Sequence, residues 1–287
     1  MTENVTDASL EQRISHTLQL AEERGYNLTI EQLSSKLIGG FISINKLYQI
    51  LLNIKNIEVN NNFVANKGYL YLKKCEQRQQ TNSTLYPYYQ RIATKFINEY
   101  IRLCPWVSCV LLSGSMASEG LGEGDDIDFD LIVPDGLKYT SYLLALLLSF
   151  KYSILYGKHF WKRYVICISV IWENHQVLPF QRNDGQLAFE LLNAKVVYNP
   201  DFFTYVISKN QWLKNYFPQM FEPGVERVFF SPRHHQKRFL KALIERFSKN
   251  ILFMMVKVAM STVFKDHNIS DRMMVKHPYA LFDEPEL

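Results

Sequence analysis

Apolar residues recur at helical spacing near the start of the chain and at alternate positions in its middle, and this change of period marks its organisation. Leu10, Ile14, Leu18 and Ala21 predict a helix over 8–24 that stops at Gly25. Thr29 with Gln32 is a capping-box pair opening a second helix, which ends at Gly39-Gly40, and Ser43 caps a third running to about Asn53. Ile57-Glu58-Val59, a turn at Asn60-Asn61-Asn62, Phe63-Val64 and Tyr69-Leu70-Tyr71-Leu72 then predict short strands. From Cys75 to Ser83 the chain is polar and reads as a connector. A helix follows from about Tyr86 to Leu103, with Ile92, Phe96, Ile97 and Tyr100 on its buried face and Pro105 at its end. The strand Val107–Leu112, a second strand of alternating acids and apolar residues from Asp126, the helix Tyr139–Phe150 and the strand Arg163–Trp172 come next. Residues 186–287 read as helical. Leu187, Leu191 and Val196 begin one segment, and Phe202 to Phe217 form another. The longest runs from about Pro232 to Phe264, with Phe239, Leu243, Phe247, Ile251, Met254, Val258 and Val263 at core-packing spacing.

The expected class is α+β, with an N-terminal unit over 1–75, a mixed sheet backed by helices over 84–185, and a C-terminal helical region over 186–287. Three helices followed by a β-ribbon is the layout of a winged helix. Its second helix of the helix-turn-helix pair would present Asn45, Lys46, Tyr48 and Gln49, with Lys55, Lys67, Lys73 and Lys74 near the wing. That surface is thin in arginine, and DNA affinity depends on several phosphate contacts. The unit is therefore read as a nucleic-acid contact or a protein-docking module, and both stay open.

The chemistry concentrates in Leu111-Leu112-Ser113-Gly114-Ser115 and, after a ten-residue spacer, Asp126-Ile127-Asp128-Phe129-Asp130-Leu131. Strand side chains alternate faces, so Asp126, Asp128 and Asp130 point one way and Ile127, Phe129 and Leu131 the other. Neighbouring carboxylates repel, and desolvation adds to the cost. A divalent cation compensates both, and hard oxygen ligands suit Mg²⁺ or Mn²⁺. The acidic, glycine-rich spacer is an exposed loop on its own terms. That account does not extend to Asp128 and Asp130, which stand inside an apolar strand.

These residues resemble the signature of the nucleotidyltransferase superfamily typified by DNA polymerase beta, in particular its small stand-alone bacterial and archaeal members. The detailed match covers roughly 106–135. The resemblance implies a core that transfers a nucleoside monophosphate from a nucleoside triphosphate to a hydroxyl acceptor (protein, small molecule or RNA) with release of pyrophosphate. It implies Asp126 and Asp128 as ligands of Mg²⁺ or Mn²⁺, and Ser113, Gly114 and Ser115 as the holders of the triphosphate, with the short helix from Met116 behind them. Active members also draw a third carboxylate from a later strand. The strand 163–172 has none: Ser169 stands where one would be expected, and Glu173 comes only at its end. Asp130 is then the candidate third catalytic carboxylate. Lys158, in the basic and aromatic run Lys158-His159-Phe160-Trp161-Lys162-Arg163, is a candidate phosphate contact or a residue of a solvated loop. The alternative reading is an inactive member of the same fold, serving as a DNA-binding regulator or a partner-docking module.

Composition narrows this picture little. The charge balance of 32 basic against 28 acidic residues gives a net +4, which does not demand a polyanionic partner. Four cysteines, at 75, 104, 109 and 167, lack metal-ligand spacing and read as reduced core thiols of a cytoplasmic protein. The start of the chain is polar and acidic rather than a signal peptide, and the most apolar run, Tyr142–Phe150, is too short to span a bilayer, so no membrane partner is expected.

Overall fold

The structure is a computed structural model describing residues 9–24, 27–60, 63–66, 72–118, 120–122, 125–156, 165–222 and 245–251, with 60 and 72–84 described by backbone alone. Helix α1 (Leu10–Glu23) opens on a capping box in which Ser9 and Gln12 each accept from the other's backbone amide. Strand β1 (Leu28–Thr29) leads into α2 (Ile30–Lys36), whose Thr29–Gln32 box closes at 3.2 and 3.1 Å, as its sequence pattern requires. Helix α3 (Ile44–Leu51) starts after Ser43, which makes no side-chain cap bond. Strands β2 (Ile57–Asn60) and β3 (Phe63–Asn66) pair antiparallel, and β1 completes a sheet in the order β1-β3-β2.

The small sheet takes Leu28–Thr29 as its third described strand, where the sequence pattern predicts 69–72. Leu28 is fully buried beside Val64, which holds the strand in place despite its length. Leu72 instead begins helix α4 (Leu72–Leu103), and 69–71 lie outside the described residues. Helix α4 also absorbs the polar stretch 75–83 expected to be a connector. Lys, Glu, Gln and Arg are good helix formers, so a run without apolar residues still propagates from a half already fixed by packing at Ile92, Phe96 and Tyr100.

The second sheet is built from β4 (Cys109–Ser113), β5 (Ile127–Val133), β6 (Ile166–Glu173) and β7 (Lys195–Tyr198), ordered β6-β5-β4-β7. Strands β5 and β6 are parallel, while β4 runs antiparallel to both of its neighbours, so the sheet is mixed. The short helix α5 (Gly114–Ala117) follows β4, α6 (Lys138–Tyr156) connects β5 to β6, and α7 (Asn174–Val177) and α8 (Gly185–Asn193) separate β6 from β7. Strand β7 falls where the sequence reads as helical. Val196 and Val197 suit a strand, and the free edge of β4 supplies the pairing that helical periodicity alone cannot reveal. The expected helix over 202–217 divides into α9 (Pro200–Lys209) and a 3-10 turn at Gln211–Asn215. Between them the fully buried Asn210 ties Phe180, Val177 and Val206 together through their backbones. Of the expected helix over 232–264, only 245–251 lies within the described residues, and it is helical.

The class is α+β, with apolar layers on both faces of the mixed sheet. One face buries Val110, Leu112, Ile127, Phe129, Leu131, Ile166 and Ile168 against α4 and α6. The other joins Cys109, Leu111 and Ile132 to α8, α9 and the N-terminal helices through Ile14, Leu18, Leu33 and Leu37 in one continuous core. No helix among the described residues is long and apolar enough to cross a membrane.

Phe96 is the keystone of the first face. Its ring lies nearly parallel to Phe129 at 5.3 Å between centroids and takes Tyr152 edge-on at 5.5 Å, with no exposed surface. Phe96→Ala is expected to cost about 3–5 kcal/mol, read as a lower urea midpoint at unchanged slope. A loss below about 1 kcal/mol would mean that α4 is held to the sheet elsewhere.

Candidate functional site

Strand β4 is buried from Cys109 to Leu112 and delivers Ser113 to the end of the sheet, where the backbone turns at Gly114 with φ +64°. That turn needs glycine twice over. Left-handed backbone disfavours any Cβ, and a Cβ here would stand 2.0 Å from Oδ2 of Asp128. The antiparallel register pairs Ser113 directly with Asp128, so the Gly-Ser bend and the Asp-X-Asp strand meet in space although the spacer divides them in sequence. Ser115, the second residue of α5, is half-buried, and its carbonyl accepts from the Gly120 amide at 2.9 Å.

On the other side of β5, the parallel register pairs Asp128 with Cys167 of β6. A bulge follows: Phe129 pairs with Ile168 but Asp130 with Val170, leaving Ser169 as the extra residue. The Ser169 hydroxyl donates to Oδ1 of Asp128 at 2.9 Å. Asp126, one residue before β5, is half-buried. One ligand atom each from Asp126, Asp128 and Cys167 lies within 4.8 Å of the other two, and this group can hold a metal ion.

Asp130 stands apart from that group. It is 7 % exposed, and Ser113 Oγ donates to it at 3.0 Å. Burial pushes its carboxyl well above the usual carboxylate range, and the negative charges of Glu190 and Asp128 push the same way. The Ser113 hydroxyl and, more weakly, Arg24 oppose them. Glu190 of α8 is in turn paired with Arg24 at the end of α1, so the N-terminal helices bring a cation toward this acidic region. Glu173, the other acid of interest, sits at the far end of β6, roughly 20 Å along the strand from Cys167. There it caps α7 and accepts from the Gly136 amide.

Of the residues singled out from sequence, Ser113, Gly114, Asp126 and Asp128 converge, and Ser115 follows Gly114 directly in α5. Asp130 is next to them but bonded to Ser113. Lys158 lies outside the described residues. Cys167 escaped the sequence reading because a cysteine between two isoleucines looks like core. The available signal was its parity with Ser169, two positions on, in a strand expected beside β5.

Two measurements probe this geometry. Gly114→Ala is expected to cost about 1–2 kcal/mol for the left-handed backbone alone, plus the displacement of the Asp128 carboxylate. In an Asp128→Ala background the same substitution should cost less, read from urea midpoints as a double-mutant cycle; equal costs would mean that the two groups do not press on each other. The second concerns pH. The folded pKa of Asp130 is raised above its unfolded value of about 3.9, so its contribution to stability is full below that value and is lost as pH rises through the folded pKa. Asp130→Asn cannot ionise and should gain on the wild type as pH rises from about 4 to about 8, measured in chelator-treated protein. A pH-independent difference would contradict the assignment. Comparisons with protein-family models, with curated proteins and with solved structures each find no match to this chain, so the geometry of these residues carries the functional reading.

Proposed function

We propose that the chain is a metal-dependent nucleotidyltransferase of the DNA polymerase beta type. It would move a nucleoside monophosphate from a nucleoside triphosphate to a hydroxyl acceptor and release pyrophosphate. The observation that carries this reading is the seating of the Asp128 carboxylate against the Cβ-less turn at Gly114, with Asp126 alongside. In this reading Asp126 and Asp128 hold the divalent cation. Gly114 lets the backbone approach the triphosphate closely, and Ser115 offers its amide and hydroxyl to the phosphate oxygens. A bound Mg²⁺ or Mn²⁺ would supply charge neutralisation on the triphosphate and pyrophosphate oxygens. Asp130, buried and bonded to Ser113, supports the bend from behind rather than reaching the cation.

The N-terminal unit, three helices with a three-stranded antiparallel sheet, fits a winged helix in which α2 and α3 form the helix-turn-helix pair. A second reading, a non-catalytic docking module, is favoured by the outward side of α3. Phe41, Ile44, Tyr48 and Leu52 are exposed there at helical spacing, a surface better matched to protein than to phosphates.

The discriminating experiment supplies nucleoside triphosphates labelled at the α- or γ-phosphate, with divalent metal and cell lysate. Transfer of the α-label by the native protein, with the γ-label leaving as pyrophosphate, is the expected outcome. Asp128→Ala should lose at least about 10²-fold of that transfer. No α-transfer with any nucleotide, together with equal nucleotide binding by both proteins, would replace the enzyme with the docking module.

A further inference from the structure

Among the described residues, the acids and thiol gathered around Asp128 are not the all-oxygen set that Mg²⁺ prefers. Two of these donors are carboxylates and the third is a thiol, carried on β6 directly opposite Asp128 in the parallel register. The other described cysteines are differently placed. Cys104 and Cys109 have no exposed surface; burial raises the Cys104 thiol to about 12, and the Cys109 thiol faces the Tyr198 carbonyl at 3.2 Å. Cys167 alone among them is half-buried and shares a side of the sheet with two acids.

We propose that Cys167 is the third protein ligand of the cation held by Asp126 and Asp128, and that the site takes a borderline divalent ion (Mn²⁺, Co²⁺ or Zn²⁺) in preference to Mg²⁺. Bonds of roughly 2.0–2.3 Å to oxygen and sulfur draw donor atoms to within about 4 Å of one another. One atom each of Asp126, Asp128 and Cys167 already lies within 4.8 Å of the other two, close to that spacing. Binding replaces the thiol S–H bond with a sulfur–metal bond and releases the proton to solvent. Thiolate is a soft ligand, which Mg²⁺ accepts poorly and the later first-row ions accept well, while the two carboxylates keep Mn²⁺ within range. The Ser169 hydroxyl on Oδ1 of Asp128 fixes the orientation of that carboxylate, as outer partners of metal ligands commonly do. Three protein donors leave coordination positions open to other ligands, and the missing Cβ at Gly114 gives the Asp128 carboxylate the room it occupies.

The inference shares Asp126 and Asp128 with the nucleotidyl-transfer reading, but its test contains no nucleotide, so either can fail alone. Co²⁺ is titrated into the full-length, reduced protein and the near-ultraviolet thiolate-to-cobalt charge-transfer absorption is recorded. The band is expected in the native protein and is expected to vanish in Cys167→Ser. In Cys167→Asp, which restores three carboxylates, the ratio of Mn²⁺ to Mg²⁺ affinity measured by calorimetry should fall by at least about 10-fold. Absence of the band from the native protein, its persistence in Cys167→Ser, or an unchanged affinity ratio in a folded Cys167→Asp would each overturn the proposal.

Discussion

The alternation of side chains along β5 is the constraint from which the rest follows. A strand in the middle of a sheet must satisfy two layers at once, and β5 does so with opposite chemistries. Ile127, Phe129, Leu131 and Val133 fill the layer beneath α4 and α6, where Phe129 stacks on Phe96. Asp128 and Asp130 enter the other layer, which the N-terminal helices, α8 and α9 otherwise fill with aliphatic and aromatic groups. The apolar side fixes the strand so firmly that the acids have no freedom to turn away. Their charge must be handled where they stand.

Each acid is handled differently. Asp130 lies deep enough that burial dominates, and a single hydroxyl donor from Ser113 accompanies a carboxyl biased toward its neutral form. Asp128 sits nearer the sheet end, takes a hydroxyl from Ser169, and presses one oxygen into the space left by Gly114. Asp126 is beyond the strand and half-exposed, where water screens it. Arg24, reaching Glu190 from the end of α1, shows that the N-terminal helices take part in this balance as well as in the shared core. The Gln32 side chain, 3.5 Å from the Ser118 carbonyl, brings α2 up to the segment just behind the bend.

Local signals were the legible part of the sequence. The Thr29–Gln32 box, the buried stripe of α4 and the alternation of β5 depend on neighbours a few residues away, and all three appear in the structure. The features that escaped depend on partners distant in the chain. Leu28–Thr29 is a strand because Phe63 and Val64 pair with it, and Lys195–Tyr198 because β4 has an open edge. The polar run 75–83 misled in the opposite way, since lack of an apolar face does not prevent extension of an anchored helix. Ser113, Gly114, Asp126 and Asp128, singled out by their motif, lie together in the structure. Cys167 was not singled out, because its meaning comes from the register of a parallel pair that no short-range pattern specifies.

The irregularity at Ser169 bears on how such a strand comes to be. Ile166, Ile168 and Ile171 all face the α4–α6 layer, which a regular strand could manage only with one residue fewer between Ile168 and Ile171. Excision of that residue would heal the ladder and leave both hydrophobic layers intact. Folding therefore has no use for it. The surplus position lends its hydroxyl to Asp128, a small departure from regularity that the scaffold accommodates without loss to either layer.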